Sequence, residues 1–325
     1  MLRLGLIGTG AFASRCLTPA LRAAAGVRFH SVLSRDPERG HAFAAREGAG
    51  AAHAELERFL ADPELDAVLV ATPDPTHEAI VLAAAAARKH VLCEKPLATT
   101  AAAARRMRDA CARAGVRLAL GYHTRHHPAH RLLLGWVGAG ELGRLVRVRV
   151  RFMAHRTDAT NWRCRPPNPW WAMAAVGTHL VDLACALLGE AVEDVHARFS
   201  SPVLGAPNEE LAVLSLGFAG GASADVEASM TLPASPSRLE VSGTKGWVAS
   251  DGTVGPGGGT MVRDGAPVAF PAGDPYTGEI EDFARAIAEG RDAAASGAVG
   301  VRNVEVLEAA ALSSARGVRV RPERG

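Results

Sequence analysis

Apolar and polar positions over the first 120 residues follow one repeating arrangement. Short apolar runs at 2–7, 27–33, 66–71, 90–93 and 116–120 alternate with Ala-rich segments of helical length. The segments at 11–25, 36–47, 76–88 and 99–114 carry good helix formers with apolar positions at helical spacing. Such alternation predicts βαβ units and a parallel sheet buried on both faces. Ala101 to Ala104 is low in complexity but lies in a helical frame, so it reads as packing surface.

The pattern changes near Tyr122. A His-rich stretch over 122–128 leads into a helix ending near 137, and then 145–153 alternates apolar residues with Arg147, Arg149 and Arg151. That alternation predicts a strand with one buried face, its arginine row being a solvated sheet face or a subunit contact before it is a phosphate site. Further strands are expected at 211–218, 222–230, 238–242, 247–250 and 267–270, separated by Gly and Pro turns, with helices at 279–289 and 301–316. The fold class expected is α/β. A doubly wound parallel sheet spans 1–122, and an α+β domain on a largely antiparallel sheet spans 123–325, its closing helices packing back on the first. No repeat of fixed period is present.

Length supports two cores, and charge excludes several partners. The chain has 325 residues, with 36 Lys plus Arg against 34 Asp plus Glu and a net charge of +2. The basic residues are scattered, which leaves no footprint for nucleic acid or a membrane and favours a small-molecule partner. Five widely spaced cysteines without a C-x-x-C motif fit reduced thiols in a cytoplasmic protein. The apolar N-terminus contains Arg3 and runs straight into a glycine turn, so it reads as a first strand and not as a signal peptide. The longest nearly uncharged run, 79–87, is far short of the ~18 residues that a membrane span needs.

Gly8-Thr9-Gly10-Ala11-Phe12-Ala13 follows the first strand and opens a helix, the context that a dinucleotide fingerprint requires. The first glycine makes the turn, the second lets pyrophosphate approach the backbone, and the phosphates sit on a helix N-terminus. An acidic residue closing the second strand would hold an NAD ribose, but this chain has Ser34-Arg35 there, with Asp36 displaced into the next segment. Hydroxyl plus guanidinium suits a 2′-phosphate, so NADP is preferred over NAD. Lysine is scarce, with only Lys89, Lys95 and Lys245 in the chain. A lysine between Glu94 and Pro96 can lose or lend a proton as arginine cannot. His126, His127, His130 and His155 lack acidic or cysteine partners at ligand spacing, so no metal site is expected.

With Gly8-Thr9-Gly10, the run Ala71-Thr72-Pro73-Asp74-Pro75-Thr76-His77 and Cys93-Glu94-Lys95-Pro96 in this order and spacing, the chain resembles the Gfo/Idh/MocA oxidoreductases. Trp162-Arg163, the segment from Gly177 through His179 to Asp182, and the closing helix from Val304 to Ala310 extend the resemblance nearly end to end. The resemblance implies hydride transfer between a nicotinamide cofactor and a hydroxyl or keto group of a sugar or polyol, with the cofactor lying between the domains. It also implies an open sheet that often makes subunit contacts, hence a homo-oligomer, dimer or tetramer. Thr72, Pro73, His77, Glu94 and Lys95 join Gly8, Thr9, Gly10, Ala11, Phe12, Ser34 and Arg35 as cofactor-lining positions. Lys95 and His179 are the implied catalytic pair. The family motif D-x-G-x-H reads Ala175-Val176-Gly177-Thr178-His179 here, so its aspartate is replaced by Ala175. Tyr122, His123, Arg163, Trp171 and Ala175 are the substrate-facing candidates, with Arg125, Arg156 and Trp170 nearby in sequence. Two rival readings are a dinucleotide-binding, sugar-sensing regulator without turnover and a reductase of a nucleotide-linked sugar or an imine or enone.

Overall fold

The computed structural model describes residues 1–255 and 257–324. The chain forms two compact units, Met1–His123 with Tyr276–Val301, and Thr124–Pro275 with the chain from Arg302 on. In the first unit, strands β1 (Leu2–Ile7), β2 (Val27–Leu33), β3 (Ala51–His53), β4 (Ala67–Val70), β5 (His90–Cys93) and β6 (Leu118–Leu120) build one sheet in the order β3-β2-β1-β4-β5-β6. Every neighbouring pair in it is parallel. Helices α1 (Thr18–Ala23), α2 (Pro37–Glu47), α3 (Leu56–Leu60), α4 (His77–Ala86) and α5 (Ala101–Ala114) make the crossovers. The chain then continues through α6 (Pro128–Gly138), α7 (Thr178–Leu188), α8 (Pro275–Glu289) and α9 (Gly297–Arg316).

The strand order reverses between β1 and β4, which opens a crevice at the carboxyl ends of those strands where ligands of such sheets bind. Leu4, Leu6, Val32 and Leu69 form the core beneath it, and Ile280 and Phe283 of α8 are buried in the same cluster. Local signals set the helix ends. Asp36 accepts from the Arg39 amide (3.1 Å) to cap α2, Thr100 accepts from Ala103 (3.2 Å) to cap α5, and Gly48 and Gly115 stop these helices with φ of 82° and 70°. Glu47, buried at the end of α2, ties that helix to α1. Burial alone would raise its pKa, but hydrogen bonds from Ser14, Thr18 (2.7 Å), Arg22 (3.0 Å) and Arg46 (2.9 Å) outweigh this and bring it down to about 2.

The second unit carries β7 (Leu145–Met153), β8 (Val192–Ser200), β9 (Leu211–Phe218), β10 (Ser223–Ser229), β11 (Ser235–Gly243), β12 (Trp247–Asp251), β13 (Thr260–Arg263) and β14 (Ala266–Pro267). They form a sheet ordered β14-β13-β12-β11-β7-β10-β9-β8, antiparallel throughout except for the β7–β10 pair. Helix α7 packs across β7 and β10 on one face. Val148 and Val150 point into that side, and the alternating arginines of β7 lie on the other.

Several elements differ from the sequence-based expectation. Strand β8 was not among those expected; a register shift between Val192 and Asp194 interrupts its start, and the alternation of buried and exposed residues runs only from Val195 to Phe199. Strands β3 and β13 are three and four residues long, too short for a clear period. The segment expected as a strand at 267–270 pairs only at Ala266–Pro267. The first crossover helix opens with a wide π turn, Ala13–Leu17, before becoming α-helical.

Candidate active-site residues

The turn after β1 has the geometry that the fingerprint demands. Gly8 sits at φ +114°, and a Cβ there would lie 2.5 Å from the Ala71 carbonyl oxygen, so only glycine lets the two loops of the crevice pass. Gly10 is the complementary case. It is exposed, and a Cβ on it would project into space holding no protein atom within 4 Å. That is the room a pyrophosphate needs over the backbone amides that follow, so these residues fit a dinucleotide. The Thr9 hydroxyl donates to Ser34 Oγ (3.2 Å), joining the turn to the tip of β2. Ser34 is buried, while Arg35 is exposed and makes no ion pair among the described residues. The acid next to it, Asp36, is occupied as the α2 cap.

Beside the turn is an aromatic stack. Tyr276, at the start of α8, lies parallel to His123 at 4.3 Å and edge-on to Phe12 at 5.8 Å. Burial, with the nearby Cys16 and Glu94, pushes the Tyr276 phenol well above its ordinary value, so it stays protonated. Tyr122 is fully buried.

The segment carrying Lys95 leaves the end of β5 in a cis Lys95–Pro96 peptide. His77 pins it. One ring nitrogen lies 3.0 Å from the Pro96 carbonyl oxygen and the other 3.0 Å from that of Thr72, so both nitrogens face backbone. The Thr72–Thr76 loop is closed by the Thr76 hydroxyl, 2.7 Å from both Thr72 Oγ1 and the Pro73 carbonyl oxygen. Glu94 is buried with its carboxylate 3.3 Å from the Lys95 amide, and Gly121 makes room for it, since a Cβ there would approach that carboxylate to 2.9 Å. Of the other lysines, Lys89 donates at 2.8 Å to the carbonyls of Asp62 and Leu65, and Lys245 is exposed in the turn between β11 and β12.

In the second unit, His179 is the second residue of α7 and is buried. Asp182, one turn further on, is wholly buried and takes a bidentate pair from Arg125 (2.6 and 2.7 Å) and a hydrogen bond from Asn303 of α9 (2.9 Å). Glu209, just before β9, holds the other end of this helical run. Its Oε1 accepts from the amides of Trp171 and Met173 (2.9 Å each), and its own carbonyl accepts from Ala172 (3.0 Å). Burial pushes the Glu209 carboxyl up to about 7 against the pull of these backbone donors. Neither the Glu209 cap nor the Arg125–Asp182–Asn303 network was anticipated from sequence. The only visible sign of the former is a pair of acids, Glu209 and Glu210, ahead of an apolar strand.

Trp171, one of the substrate-facing candidates, is fully buried with Cys164, Ala172, Ala206 and Met230, and Ala175 packs against that cluster. Arg163 stacks over Trp162 at 4.2 Å, on a loop stitched by Asn208, which donates to the carbonyls of Arg163 (2.7 Å) and Asn168 (2.8 Å). The histidines of the 122–130 stretch are structural in part. His127 Nδ1 accepts from the Ala129 amide (3.2 Å) to cap α6, and His130 bridges the Thr124 carbonyl (2.7 Å) and Thr253 hydroxyl (3.0 Å), with burial lowering its pKa to about 4. No group of three or more His, Cys, Asp or Glu suited to a metal occurs among the described residues.

A Gly8–Gly10 turn at a switch point, followed by a pinned Glu94-Lys95-Pro96 segment, defines a nicotinamide-dependent oxidoreductase of the Rossmann type. The chain belongs to the Gfo/Idh/MocA family. Residues 2–122 match the family's NAD-binding Rossmann domain and residues 130–249 its C-terminal domain. The 1,5-anhydro-D-fructose reductase of Ensifer adhaerens is 33% identical over 76% of this chain and 74% of its own. The NADP(+)-named D-xylose 1-dehydrogenase 2 of Haloferax volcanii is 32% identical over 88% of this chain and 89% of its own. Among solved structures, aldose-aldose oxidoreductase from Caulobacter crescentus, complexed with glycerol, superposes with a TM-score of 0.91 at 26% identity, covering 98% of this chain and 99% of that one. No helix of the described residues is long and apolar enough to cross a membrane.

Proposed function

We propose that this oxidoreductase moves a hydride between NADP and a hydroxyl or keto carbon of a small sugar or polyol, with Lys95 and His179 handling the proton. One observation carries the reading: the carboxyl edge of the parallel sheet presents the Gly8 turn, the Thr72 loop and Lys95 together, the last two joined by His77. When bound, the nicotinamide supplies or accepts the hydride. Lys95 hydrogen-bonds the substrate oxygen and favours the charge that develops on it, and His179 gives or takes the hydroxyl proton. His77 acts behind Lys95 by holding its segment. With Ala175 in place of an acid, His179 works without a carboxylate on the preceding turn.

Fluorescence titration with NADPH and NADH, followed by a turnover panel of D-xylose, myo-inositol and 1,5-anhydro-D-fructose, tests this directly. Binding of neither nucleotide would end the reading. Binding without turnover on a broad panel would favour a regulator. NADP preference rests on Arg35, exposed beside Ser34 with no acid closing β2. Arg35→Ala is expected to raise the NADPH Kd about tenfold, the equivalent of one charge-assisted hydrogen bond of ~1.4 kcal/mol, and to leave the NADH Kd nearly unchanged. Equal losses for both nucleotides would reject the preference.

The oligomer is assigned to the outer face of the eight-stranded sheet. Much of its charge is paired internally: Arg147 pairs with Asp225, and Arg238 pairs with both Glu240 and Asp251 at 2.9 Å. Exposed Val213 (44%) and Trp247 (43%) add apolar surface at either side. Covering a neutralised lattice of this kind costs less desolvation than covering lone charges. Sedimentation should show a dimer or tetramer, and Val213→Glu should shift it toward monomer. A monomeric wild type would exclude this assembly.

A further inference from the structure

The helical run that carries His179 lacks a cap of its own. It opens with a wide turn, Met173–Gly177, and continues as α7, and Ala172 at its head has no side chain able to accept a hydrogen bond. The first amides of a helix have no partner within it, and inside a protein each must find one elsewhere. Here the partner is a single residue 36 positions away. Glu209 takes three consecutive amides, Trp171 and Met173 on its carboxylate and Ala172 on its backbone carbonyl. Trp171, Ala172 and Met173 are themselves fully buried, so water cannot substitute. The neighbouring Glu210 bonds a different segment: its carboxylate holds the amides of Val203 (2.9 Å), Leu204 (2.9 Å) and Ala206 (3.0 Å), a loop whose Leu204 and Ala206 pack in the cluster of Trp171 and Ala172.

We infer that Glu209 is a positioning residue for His179: by anchoring the head of this run it sets the axial place and rotation of the turn from which His179 projects. The inference rests on the assignment of His179 as the proton-handling group. The wide turn makes the anchor necessary. A π turn is a rare, single-turn departure from α geometry, and its replacement by an α turn would rotate everything after it. Two features resist it. Gly177 lies against Met173, a Cβ there being 2.5 Å from the Met173 sulfur, and Glu209 holds the Met173 amide from outside. Loss of the outer hold therefore moves the ring of His179 without removing any group that touches substrate. Misplacement by about 1 Å is enough to cost roughly a hundredfold in rate.

Substitution at Glu209 separates acceptor chemistry from bulk. Because one oxygen takes both side-chain hydrogen bonds, Glu209→Gln retains the needed acceptor, whereas Glu209→Asp withdraws it by one methylene and Glu209→Ala removes it. Hydrogen exchange of the 171–179 segment is expected to rise at least tenfold in the Asp variant, with the NADPH Kd unchanged. In turnover, kcat per nucleotide-binding site should fall at least tenfold in the Asp variant, with the KM for NADP unchanged, and the Gln variant should recover most of it. A Gln variant as impaired as Asp, or an Asp variant with wild-type exchange and kcat, overturns the inference. If the Ala variant does not fold, the Asp and Gln pair still decides. His179→Ala is assayed alongside: retained kcat there refutes the role of His179, while a loss there with wild-type Glu209→Asp refutes the anchor alone.

Discussion

Lys95→Ala is expected to abolish turnover, lowering kcat by about 10²–10⁴-fold, the range that a positioned proton donor contributes, with little change in melting temperature. The expectation follows from how the three lysines are used. Lys89 is committed to two carbonyl oxygens at 2.8 Å, and Lys245 is an exposed turn residue. In a chain that otherwise uses arginine for positive charge, Lys95 alone stands on the edge of the sheet where the dinucleotide turn lies. Lys95→Arg should fare almost as badly. The guanidinium keeps the charge but stays protonated and is planar, so it reproduces neither the point donor nor the proton exchange. Nucleotide Kd, measured by the same fluorescence titration, should move far less than kcat. A Lys95→Ala enzyme with activity within a few-fold of wild type would refute the assigned chemistry.

What could be seen in the sequence depended on how local the cause was. Strands β1, β2, β5, β7 and β9 have the bounds expected of them, because each is an apolar-rich run between clear breaks that needs no information from elsewhere. β8 escaped because the bulge after Val192 leaves only five alternating residues, Val195 to Phe199, as its signal. The same division holds among the candidate site residues. Gly8 and Gly10 were legible, since their reasons, a left-handed turn and a reserved space, belong to a short motif. Glu209 was not, since a cap offered across 36 residues leaves no spacing to read. Trp171 marks the limit of composition: an adjacent tryptophan pair in a chain with 5% aromatics suits a sugar platform or a core equally, and which it becomes is decided by what packs over it. His77 is intermediate: its place in the motif was readable, but its use of both nitrogens on backbone carbonyls appears only once two loops are brought together.

Asp182→Ala is expected to cause the largest loss of stability, about 3–5 kcal/mol, because it strands a guanidinium whose side chain is only 11% exposed. A loss of that size corresponds to a fall in melting temperature of about 5–10 °C, readable by calorimetry or thermal fluorescence. Three pieces of chain meet at this carboxylate. Arg125 reaches it from the turn after β6, Asn303 reaches it from α9, and Asp182 itself stands one turn beyond His179. Two-point contact with the planar guanidinium fixes direction as well as distance, so the carboxylate orients the helix in addition to neutralising a charge. Asp182→Asn preserves the shape and can still meet Asn303, but it offers Arg125 a single neutral acceptor, and it should lose less than the alanine variant. The asymmetry of buried pairs supplies the decisive comparison. Removing one partner leaves an uncompensated charge, whereas removing both leaves a packing defect and the more exposed Arg302, whose guanidinium lies 3.6 Å from the carboxylate, to be met by solvent. Arg125→Leu introduced into Asp182→Ala should therefore restore part of the lost stability. If the second change adds its own full loss to the first, the network is not held by the ion pair, and α7 is being kept in place by its packing across β7 and β10.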